Sequence, residues 1–189
     1  MHRLLVAFSA LLLCAVSAHA QTKNPVVLVE TSMGNFKIEL YPEKAPETVK
    51  NFLGYVDRKF YDGTIVHRVV AKFIVQGGGF EPGMKKKEPG PAIKSEAGNG
   101  LKNTRGTVAM ARGDKADSAT CQFFVNVRDN PILDKDKADD GIGYCVFGFV
   151  TEGLDVVDKI AAVETTDRDD ADGIPVKDVI IKSIRRLDK

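Results

Sequence analysis

The chain has 189 residues, and its 27 lysines and arginines are matched by 26 aspartates and glutamates, so it lacks the basic surplus on which a nucleic-acid-binding surface draws. With three histidines and three cysteines in all, it also lacks the paired Cys/His spacings of a four-ligand structural zinc site.

Residues 1–20, "MHRLLVAFSALLLCAVSAHA", place Arg3 before an apolar stretch from Leu4 to Val16 and end on the small-residue site Ala18-His19-Ala20. This is the pattern of a secretory signal peptide cut before Gln21, and it is too short to span a bilayer. Leu13 stands before Cys14 where a lipoprotein signal wants a small residue. No later apolar run could cross a membrane, and residues 21–189 are expected to form one exported domain. Cleavage would leave His67, Cys121 and Cys145 as the remaining histidine and cysteines. A Ser-His-Asp mechanism would then depend on His67, and no GxSxG elbow accompanies it.

Val26–Thr31 is rich in β-branched residues, Ser32-Met33-Gly34-Asn35 supplies turn chemistry, and Phe36, Ile38 and Leu40 alternate with polar neighbours. The pattern predicts a hairpin with one buried face. Pro46 opens a helix of roughly three turns, with Val49, Phe52, Leu53 and Val56 at i, i+3, i+4 and i+7, ending near Asp62-Gly63. Short strands follow at Thr64–Val70, Phe73–Gln76, Thr107–Ala111, Phe123–Val127 and Tyr144–Val150, separated by Gly- and Pro-rich loops such as Glu81–Gly100. A second helix fits Gly153–Ala162, and a last strand fits Val176–Leu187. Many short strands with two helices favour a mainly β fold, a closed barrel capped by helices, over a doubly wound sheet.

Lys85-Lys86-Lys87 lies among Pro and Gly residues and reads as a solvated loop. The acidic stretches around Asp134 and before Gly173 fail the EF-hand register, with Ala138 at the fifth place of one and Arg168 at the first place of the other. Both read as charged surface loops, and no metal is expected. Gly77-Gly78-Gly79 has neither phosphate-loop spacing, and reads as backbone that bends or approaches closely after a strand.

Val66-His67-Arg68, then Phe73, Ile74 and Gln76-Gly77-Gly78, then Met110-Ala111, Gln122-Phe123-Phe124, Leu133-Asp134 and Val146-Phe147-Gly148, resemble in their order the cyclophilin family of peptidyl-prolyl cis-trans isomerases. With its leader the chain looks most like a bacterial periplasmic member. The resemblance implies a closed antiparallel eight-stranded barrel capped by two α-helices, no cofactor, action as a monomer, and proline-containing segments of unfolded exported proteins as substrates. It implies that Phe73, Ile74, Phe124 and Leu133 line a proline pocket. Arg68 would donate toward the prolyl nitrogen, Gln76 would orient Arg68, Ala111 and Gln122 would lie along the groove, and Tyr144 would add an apolar face with a hydroxyl. Ile132 stands where eukaryotic members carry tryptophan, Tyr144 where they commonly carry histidine, and Arg112 where asparagine is common; strong cyclosporin binding is therefore not expected.

Read without the resemblance, the phenylalanines are ordinary barrel core, and the alternative function is a module that holds Pro-containing segments without turning them over. His67 alternates with Arg68 and reads as structural. Cys121 and Cys145, alone together after export, are expected to form a disulfide, against the simpler reading of two separately buried thiols.

Overall fold

A computed structural model describes residues 23–168 and 171–187; the proposed leader lies outside the described residues. Strands β1 (Val26–Thr31) and β2 (Gly34–Leu40) form the expected hairpin, followed by helix α1 (Pro46–Asp57), β3 (Thr64–Val70) and β4 (Ile74–Gly77). The next elements are β5 (Phe80–Glu81), β6 (Lys85–Lys86), β7 (Thr107–Met110), β8 (Phe123–Asn126) and β9 (Val146–Glu152). Helix α2 (Leu154–Ala161), β10 (Thr165–Arg168), β11 (Ala171–Pro175) and β12 (Val179–Arg186) complete the chain.

Eight of these strands close into an antiparallel barrel in the order β1, β12, β3, β4, β8, β7, β9, β2. The inward residues of alternating strands fill it: Val27, Val29, Ile38, Leu40, Val108, Phe147, Ile181 and Ile184 are all essentially inaccessible. Phe52 of α1 joins this core, packing on Phe147 and Phe123 at ring-centroid distances of 5.2 and 5.5 Å. A barrel of eight strands is just wide enough for side chains to fill.

Two short ladders lie outside the barrel, and both correct the sequence reading. Phe80 and Glu81 pair with Lys86 and Lys85, and Lys87 is not freely solvated, since its Nζ donates to the Phe60 carbonyl at 2.6 Å. The acidic run before Gly173 is the β10–β11 hairpin, which packs on β3. The long segment after β6 is tied down by α1. Ala45, at the helix N-cap, has no side chain to offer, and Glu96 takes its place by accepting from the backbone N–H groups of Glu47 and Thr48 at 3.2 and 2.8 Å. A carboxylate there satisfies two otherwise orphaned donors and the positive end of the helix dipole.

The cysteines do not pair; both are free and buried. Their neighbours Phe123 and Val146 pair with Met110 and Ala109 on opposite edges of β7. Two interstrand spacings of about 4.8 Å separate the flanking strands, beyond the roughly 7 Å Cα limit for a disulfide. Burial also pushes the Cys145 thiol up to about 11.

His67 has a structural place. It is the extra residue of a β-bulge: Val66 faces Gly77, and Arg68 already faces Gln76. Strict alternation from the inward Val66 would turn Arg68 into the core; the bulge resets the pleat, so Val69 faces inward and Arg68 outward. The imidazole is 6 % exposed, packs against Phe80 with ring centroids 4.6 Å apart and planes tilted by 52°, and leaves Nδ1 without a partner among the described residues. Desolvation holds its pKa down at about 4, against 6.5 for the free side chain. The unfolded chain therefore binds a proton that the folded one refuses between these values, so stability should fall as pH drops from about 6.5 to 4, by up to about 3 kcal/mol. Urea unfolding across this range measures it, and His67→Gln should flatten the slope.

Candidate active site

One row of residues runs across the outer face of the barrel. Arg68 faces Gln76, Gln76 faces Phe124, Phe124 faces Ala109, and Ala109 faces Val146. Residues directly opposite on neighbouring strands share a face, so a cation and an amide adjoin an apolar surface. Ile74, Ala109, Phe124 and Val146 form a cluster separate from the barrel core, with Val70, Phe73, Leu101, Ala111, Leu133 and Tyr144 packed half-buried around it. Every apolar residue assigned to the pocket from the sequence is thus brought into one patch.

Phe124, 2 % exposed, is the floor of this patch. Tyr144 meets it edge-on, with ring centroids 5.6 Å apart and planes at 78°. Ile132, 60 % exposed, sits on the short helical turn Pro131–Leu133 at the rim. Beyond Gln76 the patch opens into a cleft of about 380 Å³, with Ala111, Gln122, Lys86 and Arg112 on its walls. Gln122 lies across the backbone at Gly79, where a Cβ would stand 2.5 Å from it, so the glycine makes room for the amide. Expected from the glycine run, this close approach gives the third glycine its purpose.

The polar pairings differ from expectation. Gln76 donates to Gln122 at 2.9 Å and does not reach Arg68. Arg68 is instead held by Asp172 of β11, its Nε donating to Oδ1 and its Nη2 to Oδ2, each at 2.9 Å. The guanidinium hydrogen bonds keep the Asp172 carboxyl below the usual carboxylate range.

What holds the walls was not foreseen. Leu133, Tyr144 and Phe73 come from three separate loops, and three asparagines bind those loops together beneath the patch. Asn103 donates from Nδ2 to the carbonyls of Leu133 and Tyr144 at 3.1 and 3.4 Å. Asn130 donates to the Phe73 carbonyl at 2.9 Å and to Asn126 Oδ1 at 2.8 Å. Asn126 closes the network with bonds to Asn103 Oδ1 and Thr107 Oγ1 at 3.1 and 2.9 Å. A detectable signal existed for Asn126 alone: it lies two residues beyond Phe124, on the same strand face.

Arg112 is the second support. Its side chain is only 5 % exposed, its guanidinium carbon lies 4.6 Å from the Tyr144 ring centroid, and its Nε donates to the Gly143 carbonyl at 2.9 Å. Nη2 also bonds Asp140, and that hydrogen bond lowers the Asp140 carboxyl to about 2. The substitution that the sequence marked as unusual thus clamps the acidic loop onto the pocket wall.

Residues 26–186 match the family model described as cyclophilin type peptidyl-prolyl cis-trans isomerase. A peptidyl-prolyl cis-trans isomerase of Acinetobacter baylyi is 52 % identical over 170 residues, covering 90 % of this chain and 89 % of the relative. Peptidyl-prolyl cis-trans isomerase B of Escherichia coli is 52 % identical over 160 residues, covering 84 % of this chain and 98 % of the relative. Among solved structures, a Cryptosporidium parvum cyclophilin crystallised in the presence of the dipeptide Ala-Pro matches with a TM-score of 0.71 at 26 % identity, covering 87 % of this chain and 99 % of that one.

Two outcomes follow from the supports. Asn126→Ala leaves buried partners unsatisfied, so it should lower unfolding stability by about 1–3 kcal/mol, read from the urea midpoint. Arg112→Ala should raise amide hydrogen exchange across residues 134–143 while β7, β8 and β9 stay protected; unchanged exchange there would remove the clamp.

Proposed function

The chain belongs to the cyclophilin-type peptidyl-prolyl cis-trans isomerases and has their activity, and from that premise we propose that Arg68 is its electrostatic catalyst and the Phe124 patch its proline pocket. The observation that carries this reading is the shared face: a guanidinium sits on the same row of the barrel as an apolar floor. Rotation about an X-Pro bond is slow because amide resonance opposes it, with a barrier of about 20 kcal/mol. No bond has to break. A catalyst needs to grip the ring, free the preceding peptide to turn, and favour the twisted state, in which the prolyl nitrogen has lost resonance and become a better acceptor.

In this scheme Phe73, Ile74, Phe124, Leu133 and Tyr144 bury the proline ring, and an N–H of Arg68 donates to the prolyl nitrogen as it pyramidalises. That bond is stronger to the twisted imide than to the planar one, and only such a difference raises the rate. Arginine suits the role because it stays charged at every working pH and offers five donors in a rigid plane. Gln76, Gln122 and Ala111 border the cleft into which the residues before proline extend, and the joined amides of Gln76 and Gln122 supply both a donor and an acceptor to an extended peptide backbone.

The clients we propose are proline-containing exported polypeptides, met unfolded or partly folded in the periplasm. The support for that compartment is the pattern of residues 1–20. Detection of a mature chain beginning at Gln21 in a periplasmic extract is the measurement that checks it.

Arg68→Ala should keep the fold and the peptide affinity but lower the rate of cis/trans exchange by about 10²–10³, the usual loss for one such donor. NMR exchange spectroscopy on an Ala-Pro peptide reads it. A folded variant with wild-type turnover would falsify the assignment. Phe124→Ala should weaken binding and turnover together, at a stability cost of about 3–5 kcal/mol for the emptied volume.

A further inference from the structure

The bidentate contact on Arg68 comes from a hairpin 104 positions away in sequence. We propose that Asp172 is a positioning residue for the isomerase reaction, holding the Arg68 guanidinium in the orientation from which it donates to the prolyl nitrogen; this rests on the reading of Arg68 given above.

Geometry is the first argument. Asp172 takes the Nε–H and one N–H of Nη2, which leaves three of the five guanidinium N–H groups for other acceptors. A fork held at one edge can no longer rotate about its last torsions, so the remaining donors keep a fixed direction. Gln76, the cross-strand neighbour of Arg68, donates to Gln122, and the guanidinium is held by Asp172 instead.

The second argument is how Asp172 itself is anchored. Its side chain is 64 % exposed and that of Arg68 31 %, and an ion pair so open to water adds little to stability. The backbone beside it is fixed all the same. At Gly173, with φ of +67°, a Cβ would stand 2.4 Å from the Val69 carbonyl oxygen, so the hairpin presses directly on β3 one residue beyond Arg68. The Gly173 N–H donates to Asp167 Oδ1 at 2.8 Å, and Ile174 is buried. A close-packed hairpin thus carries a carboxylate whose net energetic worth is small, so its effect is on direction.

The test is a double-mutant cycle between Arg68→Ala and Asp172→Ala, with kcat and KM measured on an Ala-Pro peptide and the Arg68 Nε–H resonance followed by NMR. Asp172→Ala should lower kcat roughly fivefold, with KM within about twofold of wild type. The Arg68 Nε–H signal should broaden by faster solvent exchange, Asp172→Glu should restore part of kcat, and Asp172→Ala should have no further effect in the Arg68→Ala background. Wild-type kcat in a folded Asp172→Ala variant overturns the proposal, as does a loss confined to KM. A rate above wild type overturns it too, because the carboxylate would then be competing with substrate for the guanidinium. An equal loss in the Arg68→Ala background places Asp172 in some other role. If Arg68→Ala itself turns over normally, the donor assignment fails and the positioning role with it; if Arg68→Ala is crippled while Asp172→Ala is normal, positioning alone fails.

Discussion

A closed barrel of eight strands has a solid interior, and that single constraint decides where the rest of the molecule must work. Side chains such as Ile38, Phe147 and Ile184 fill the inside, so a ligand has to be met on the outside of the barrel. An outer wall is normally polar. Here one sector, from β3 through β4, β8 and β7 to β9, is apolar instead, and it has to be kept open while the loops around it are kept from collapsing. The buried amides of Asn103 and Asn130 do this by donating to loop carbonyls from below, with Asn126 bonded to both, leaving the apolar side chains above them facing outward. Polar groups can be buried this way because each has its partner, and a fully satisfied network specifies one arrangement.

The near-equal count of acidic and basic residues takes on a physical meaning in the fold. Arginines, more than lysines, are drawn into specific pairs. Arg185 and Arg186 on β12 each form two bonds with a single aspartate, Asp62 and Asp57 respectively. Arg105 joins Asp158 of α2 to the carbonyl of Val127. Arg112 ties Asp140 to the pocket wall, and Arg68 meets Asp172. A planar fork matches a carboxylate in two places where an ammonium matches it in one. The charge of these five arginines is thus placed in joints between elements.

The periodic parts of the fold were legible because periodicity reports burial. The alternation of Phe36, Ile38 and Leu40 and the helical spacing of Val49, Phe52, Leu53 and Val56 match what the barrel and α1 bury. The apolar residues that the resemblance singles out do converge on one patch of the barrel wall. Elements made by other means were not. The β10–β11 hairpin reads as a charged loop because its visible side chains are polar, while its anchor is a glycine pressed on a carbonyl, which no hydrophobic pattern encodes. The partner of Arg68 lies 104 residues away, and a contact of that span leaves no trace in local sequence. The two cysteines invited a bridge by their number alone; the strand between them forbids it. The bulge at His67 defeats the simple alternation rule at the one place where obeying it would have pointed the guanidinium into the core.

Barrel closure has a consequence for the order in which the molecule can be made. The first strand, β1, finds its second neighbour in the last, β12, with Val27 opposite Arg186 and Val29 opposite Ile184. Until the residues of β12 have left the ribosome, β1 and β3 each keep a bare edge, with backbone donors and acceptors directed at whatever strand comes near. Pairings that span most of a chain are also the slow ones to form, since the loop must close before any contact rewards it. A nascent chain of this kind therefore passes through a stage in which it is sticky along two seams, and the sealing strand arrives only after the other seven barrel strands have been synthesised.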